Sequence, residues 1–347
     1  MSLALQLLAP LGGLLATWRA VPSGKVSPPR SGPTAAADEA GNTWLFGGYA
    51  EEEGKPRDVV NDLMRYSAAS DSWERLQQPT DGDDAHPGGR LASACAVSGA
   101  ELLLFGGWDP ETAGTGGVIL DDVWVLDLAR QTWSRCTAPM PRGPSSRHVA
   151  VNVGGTVVVH TFRCVESVLV WDPASRSLVE QPTTGEAPSS RGLHAAAAAD
   201  DHTLVVFGGA AKGGAMVNDA FALDTTRWEW RRLAVEAGPR PSARAVACAA
   251  TLPGGAGIVL CCGAEASAEG LVPRADAWAL TLDGGGDAAW CKLLDDDAPG
   301  APGPRNAATL TPLGDGEGLL LHGGWFPFRA TYGDSHVLRL GRERGRD

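Results

Sequence analysis

The chain has no GxSxG, GxxxxGK or HExxH segment. No nucleophile elbow, phosphate-cradling loop or zinc-protease helix is therefore in view. Its seven cysteines include no CxxC pair. An odd number without metal-ligand spacing points to a reducing, cytoplasmic setting rather than a disulfide framework. The vicinal pair Cys261-Cys262 lies in an apolar run and reads as buried packing. Positive charge is in deficit, with a formal net charge of -12, which argues against general binding to nucleic acid or anionic membranes. A long unbroken apolar run is missing too. The apolar start MSLALQLLAPLGGLLATW has no Lys or Arg ahead of it and is interrupted by Pro10 and Gly12-Gly13, too short and broken to span a bilayer. Residues 1–16 read as a leader into a strand, with secretion or plastid targeting as the alternative.

What the chain does have is glycine, 45 residues, and tryptophan, 12 residues, and these recur in order. Arg30, Arg90, Arg147, Arg191, Arg244 and Arg305 are spaced by 60, 57, 44, 53 and 61 residues. After each comes an apolar run: WLFGG (44–48), LLLFGG (102–107), VVVHTF (157–162), LVVFGG (204–209), IVLCCG (258–263) and LLLHGG (319–324). Continuous rather than alternating apolarity predicts strands buried on both faces. A strand led by Asp62, Asp122, Asp219, Asp276 or Asp334 follows, with Ser167 in the third unit. The last strand begins at Trp73, Trp133, Leu178, Trp230 or Trp290. The sixth unit lacks this last strand, and Thr17-Trp18-Arg19-Ala20-Val21 near the chain start has its form. A period near 50 residues marks stacked units, not two ordinary domains.

The combination of Gly-Gly, Asp-led strand and Trp resembles the kelch-repeat β-propellers over residues 17–340. The resemblance implies an all-β, six-bladed propeller closed by an N-terminal strand, which leaves no open sheet edge at the seam. The blades fall at about 28–78, 88–138, 144–182, 188–234, 241–294 and 302–340 plus 17–21, with 341–347 as a tail. The acidic segments at 80–87 and 295–300 read as solvated linkers between blades.

With strands named A to D from the channel outward, the B-to-C loops and the A-strand arginines emerge on one face. Those loops are long and varied, the usual seat of function on a rigid scaffold. Tyr49, Trp108 and Trp325 directly follow Gly-Gly in neighbouring blades 1, 2 and 6, and Phe328 lies in the same loop as Trp325. The expectation is an aromatic arc beside a ring of guanidinium groups from all six arginines, suited to a protein partner or a small anionic ligand. The alternative for the arginines is pairing with the Asp residues that lead the C strands. For the aromatics it is local loop packing.

The seven histidines suggest no ligand cluster. His160 and His322 fall in opposite blades, and His148 and His194 read as core residues of A strands. With Tyr49, Tyr66 and Tyr332 as the only tyrosines, a copper-radical oxidase site finds no support. Segments such as Pro241-Ser242-Ala243-Arg244, Phe207 to Gly214, Phe221 to Thr225 and Gly318 to Gly324 are similar to the plant nitrile-specifier and epithiospecifier proteins. That resemblance implies an iron-dependent enzyme acting on a sulfated thiohydroximate, with arginines at positions such as Arg90 and Arg147 against the sulfate. The family's iron motif, Glu-x3-Asp-x3-His, corresponds here to Glu265, Glu269 and Pro273. With Pro at the third ligand position, the pair reads as a surface loop. The sequence thus favours a binding or scaffold protein with a protein partner or small anionic ligand, no catalytic residue, no metal site and no cofactor, over the specifier-type enzyme.

Overall fold

A computed structural model describes residues 14–22, 28–51, 54, 57–77, 86–111, 116–235, 238–283 and 287–342. Most of the leader expected over 1–16, residues 343–347 of the expected tail, and residues 80–85 of the first acidic segment lie outside them.

Among the described residues every regular element is a strand. Six sheets have four or five strands, mostly antiparallel. In chain order of their inner strands, the first comprises Thr34–Ala37, Thr43–Phe46, Leu63–Ser67 and Ser72–Leu76, and the second Ala94–Ser98, Glu101–Asp109, Val118–Asp127 and Thr132–Arg135. The third is Val149–Val153, Thr156–His160, Ser167–Asp172 and Ser177–Pro182. The fourth and fifth are built around Thr203–Phe207 and Gly257–Cys261, and each gains a short parallel outer strand, Thr184–Gly185 and Ala234–Val235, that the repeat pattern does not predict. The sixth takes its outer strand, Leu14–Ala20, from the chain start. That strand pairs antiparallel with Ser335–Arg342, Trp18 opposite Leu338.

The apolar runs make the core because neighbouring sheets cover both of their faces. Leu102, Leu103, Leu104 and Phe105 are wholly out of solvent, each worth about 1.5–3 kcal/mol of burial. The ring ending the second strand of one sheet packs on a tryptophan of the next. Phe46 meets Trp133, His160 meets Trp230, Phe207 meets Trp290, and His322 of the sixth sheet meets Trp73 of the first. The inner strands touch in the same order, with Thr309–Pro312 of the sixth sheet against Thr34–Ala37 of the first. They are rich in alanine, and open space remains between them.

Gly-Gly serves this stacking. At Gly47 φ is +69°, and a Cβ would lie 2.6 Å from the carbonyl oxygen of Arg90, closer than any side chain tolerates. The next amide, Gly48 N–H, donates to that same oxygen at 2.8 Å. Such bonds tie the end of one sheet's second strand to the segment entering the next sheet.

Candidate functional site

Five of the six repeating arginines are buried clamps. Arg30 donates to both oxygens of Asp62 at 2.7 and 2.9 Å and to the Gly47 carbonyl at 3.0 Å. Arg90 holds Asp122 in the same way, Arg191 holds Asp219, Arg244 holds Asp276, and Arg305 holds Asp334. All five arginines are almost fully buried. Burial by itself would raise the carboxyls of Asp122, Asp276 and Asp334, but hydrogen bonds outweigh it, from the clamping guanidinium at Asp122 and Asp276 and from His336 and then Arg305 at Asp334, and hold all three below the ordinary carboxylate range. The expected ring of six open guanidinium groups is therefore corrected. Five of them bridge strands beneath the surface, each meeting the Asp that leads a C strand.

Arg147 differs in position as well as exposure. The clamp position is marked by its carbonyl, which accepts from a Gly of the preceding sheet: Gly48 to Arg90, Gly209 to Arg244, Gly263 to Arg305 and Gly324 to Arg30. In the third unit Gly107 donates to Ser145. Ser145 thus occupies the clamp position, and Ser167 stands where the clamping Asp would be; both are buried. Arg147 lies two residues further on, where the other units have Gly32, Ala92, Leu193, Val246 and Ala307. All six residues have φ between +52° and +63°. Their backbones form an unbroken cycle: Gly32 N–H donates to Ala307, Ala307 to Val246, Val246 to Leu193, Leu193 to Arg147, Arg147 to Ala92, and Ala92 to Gly32. The Arg147 side chain is exposed, with its guanidinium carbon 5.8 Å from the centre of the Trp108 ring.

Inside this cycle opens a cavity of about 680 Å³. Tyr49, Trp108 and Trp325 line it together, as does Arg147, so the predicted arc is brought to one site. Phe328 stands outside it, 97% exposed at the tip of the hairpin Trp325–Phe326/Ala330–Thr331. It meets the Trp325 ring edge-on at 5.8 Å. Ile119, which pairs with Trp108, is also exposed, as are Phe162, Val165, Leu271 and Val272 in the segments that follow second strands.

The cavity also has residues the sequence reading left in the core. His148 and His194 directly follow two members of the hydrogen-bonded cycle, and both line the cavity while being largely buried. Both ring nitrogens of His148 and Nδ1 of His194 lie out of solvent with no side-chain hydrogen-bond partner, and the Phe105 backbone stands beside the His148 ring. Burial pushes the His148 imidazole down to about 4, so it is neutral at physiological pH. The histidines are less scattered than expected, since Nδ1 of His160 lies 3.0 Å from Nε2 of His194. Arg57, not singled out by the repeat, lines the cavity from the first B-to-C loop, 5.1 Å from the centre of the Tyr49 ring.

Glu265 and Glu269 sit on the hairpin Ala264–Ser267/Gly270–Pro273. Glu265 accepts from Ser242 and lies 3.3 Å from Arg274. Its carboxylate is engaged by protein donors. Among the described residues no group of three or more His, Cys, Asp or Glu is placed to hold a metal ion.

Comparison with known proteins agrees with this architecture. The model of the KLHDC2/KLHL20/DRC7 Kelch-repeats domain matches residues 15–164 and 147–344. Putative adagio-like protein 2 of Oryza sativa subsp. japonica is 32% identical over 265 residues, 69% of this chain and 39% of that protein. Kelch domain-containing protein 10 of Xenopus tropicalis is 34% identical over 121 residues, 32% of this chain and 27% of that protein. The chain thus spans about two fifths of the adagio-like relative. The solved structure of YjhT superposes with a TM-score of 0.67, covering 93% of this chain and 99% of its own at 15% identity. That is a likeness of fold alone. With most of its length matched by the family model and its Arg–Asp clamps and Gly-Gly strand ends repeated from sheet to sheet, the chain belongs to the kelch-repeat family.

Proposed function

We propose that the chain is a six-bladed propeller over residues 17–340, closed by the Leu14–Ala20 strand, and that it binds a protein partner through its B-to-C loop face. The six-membered backbone cycle and the contact of the sixth inner strand with the first support closure. One observation carries the functional reading: the channel mouth on this face is an open cavity walled by Tyr49, Trp108 and Trp325, with Arg147 as the exposed member of the six repeating arginines. Leu271 lines the same mouth and is exposed, and an apolar surface with aromatic and arginine anchors is what protein interfaces present.

A cytoplasmic setting belongs to this reading, given seven free thiols of which five are buried. Nucleic acid and membrane surfaces do not, given the net charge of -12. The specifier-type alternative needs Glu265 available to iron, and Glu265 accepts from Ser242 and is ion-paired with Arg274, so no observation favours it.

The test is affinity capture from the native cell with the wild-type chain, Trp108→Ala and Trp325→Ala in parallel. The reading expects partners of the wild type to be lost from both variants while the variants stay folded. Two folded variants that keep every partner would show that the aromatic mouth is not the interface.

A further inference from the structure

We propose that the channel-mouth cavity takes a small planar aromatic monoanion, an aryl or indolyl carboxylate, lying against Tyr49, Trp108 and Trp325 with its carboxylate on Arg147. The proposal deepens the binding-module reading and rests on it, because it uses the same face. Size comes first. A cavity of about 680 Å³ lies within the range of roughly 300–1,000 Å³ usual for small-ligand sites.

Charge comes second. The collar formed by the backbone cycle carries Gly32, Ala92, Leu193, Val246 and Ala307, and one cation, Arg147. The other repeating arginines are each spent on a carboxylate. Arg147 has no such pair among the described residues, and its Trp108 contact is made through the π face. The in-plane N–H groups of such a guanidinium suit a two-oxygen anion. Arg57 is not a second anion site, since it bonds Thr331 at 2.9 Å and pairs with Glu51 at 3.3 Å.

The floor then sets the number of charges. His148 and His194 are more than nine-tenths buried, and their unpartnered ring nitrogens lie out of solvent beneath the cavity surface. Being neutral, they add no second positive charge to Arg147, so a second carboxylate on the ligand would be desolvated without a counter-charge. A cationic ligand is disfavoured because guanidinium groups already stack on Tyr49 and Trp108.

The experiment is isothermal titration of the full chain with indole-3-carboxylate and 2-naphthoate, with neutral 2-naphthamide and cationic 2-naphthylmethylamine as comparisons. The acids are expected to bind at least about tenfold more tightly than the amide, and the amine not at all. Arg147→Gln should bring the acid down to the level of the amide and leave the amide unchanged. Trp108→Leu should weaken both. Equal binding of acid and amide, a preference for acid that survives Arg147→Gln, or no binding of the acids at millimolar concentration overturns the proposal. Phe328→Ala lies outside the cavity and should leave acid binding intact. If the acids fail while Phe328→Ala and Trp325→Ala still abolish partner capture, the ligand proposal falls and the protein-binding reading stands. If partner capture also survives both substitutions, both fall.

Discussion

Arg147 donates its backbone N–H to the carbonyl oxygen of Ala92 at 2.8 Å. That bond fixes Arg147 as the counterpart of Ala92 in the cycle around the channel, not of the clamp Arg90 two residues earlier. It makes one conspicuous arginine a surface group and leaves Ser145 and Ser167 in the place of a clamp. The ion pairs should therefore be unequal in stability. Asp276→Asn takes from the buried Arg244 guanidinium its close counter-charge and leaves only Glu265 at 3.7 Å, and loss of one partner of such a buried pair costs about 3–5 kcal/mol. Ser167→Ala removes a buried hydroxyl that has no hydrogen-bond partner and should leave stability unchanged or raise it by up to about 1–3 kcal/mol. Urea unfolding of the two variants beside the wild type checks the contrast, and similar midpoints for both would contradict it.

The repeat in the sequence carried most of the sheets but not this distinction. Spacing alone aligns Arg147 with the other arginines, because it lies 14 residues after Trp133, as Arg244 lies 14 residues after Trp230. The telling signal was Ser167. A unit without the Asp has no use for a buried Arg, so its arginine must lie elsewhere. His148 and His194 are buried, as expected of core residues of A strands. What the sequence does not reveal is that they border the cavity, because that follows from left-handed backbone at Arg147 and Leu193, where Gly or Asn would be the usual sign. The parallel edge strands Thr184–Gly185 and Ala234–Val235 were likewise invisible, being two residues long with no pattern of their own.

Acid should destabilise the fold in two stages. His148 and His160 are held at about 4 and His322 at about 3, chiefly by burial. An unfolded histidine titrates near 6.5, so the unfolded chain binds more protons below that pH and stability falls as pH drops from about 6.5 toward 4. The loss per histidine is on the order of 3 kcal/mol over that window. Asp122, Asp276 and Asp334 have lowered values, so their stabilisation is present above the ordinary carboxylate range and is lost only as pH falls through and below it. Denaturant midpoints from pH 8 to pH 4.5 should thus decline mainly through the histidines, and His322→Asn should flatten the decline. An unchanged slope in that variant would remove His322 from the account.

The proposed closure through the chain start gives a separate test. Trp18 is buried between the fifth and sixth sheets, and Trp18→Ala should cost about 3–5 kcal/mol. Arg19 pairs with Asp71 at the exposed surface, where such pairs contribute about 0–1 kcal/mol. Arg19→Ala should therefore be mild. If thermal unfolding ranks the two the other way, the outer strand of the sixth sheet is not anchored by its tryptophan.

Phe328 separates stability from binding. Its φ is +58° with almost no burial, a conformation costing about 1–2 kcal/mol for a side chain with a Cβ. Phe328→Gly relieves that strain, while glycine's extra freedom in the unfolded chain offsets about 0.5–1 kcal/mol of the gain. The variant should be as stable as the wild type or up to about 1 kcal/mol more stable. The ring contributes little to the fold, touching chiefly Trp325, so a strained and fully exposed aromatic is best explained by work done at the surface. Partner capture by Phe328→Gly should drop at least about tenfold, as for an aromatic interface anchor. A variant that is destabilised, or that binds as the wild type does, would return Phe328 to the status of an ordinary loop residue.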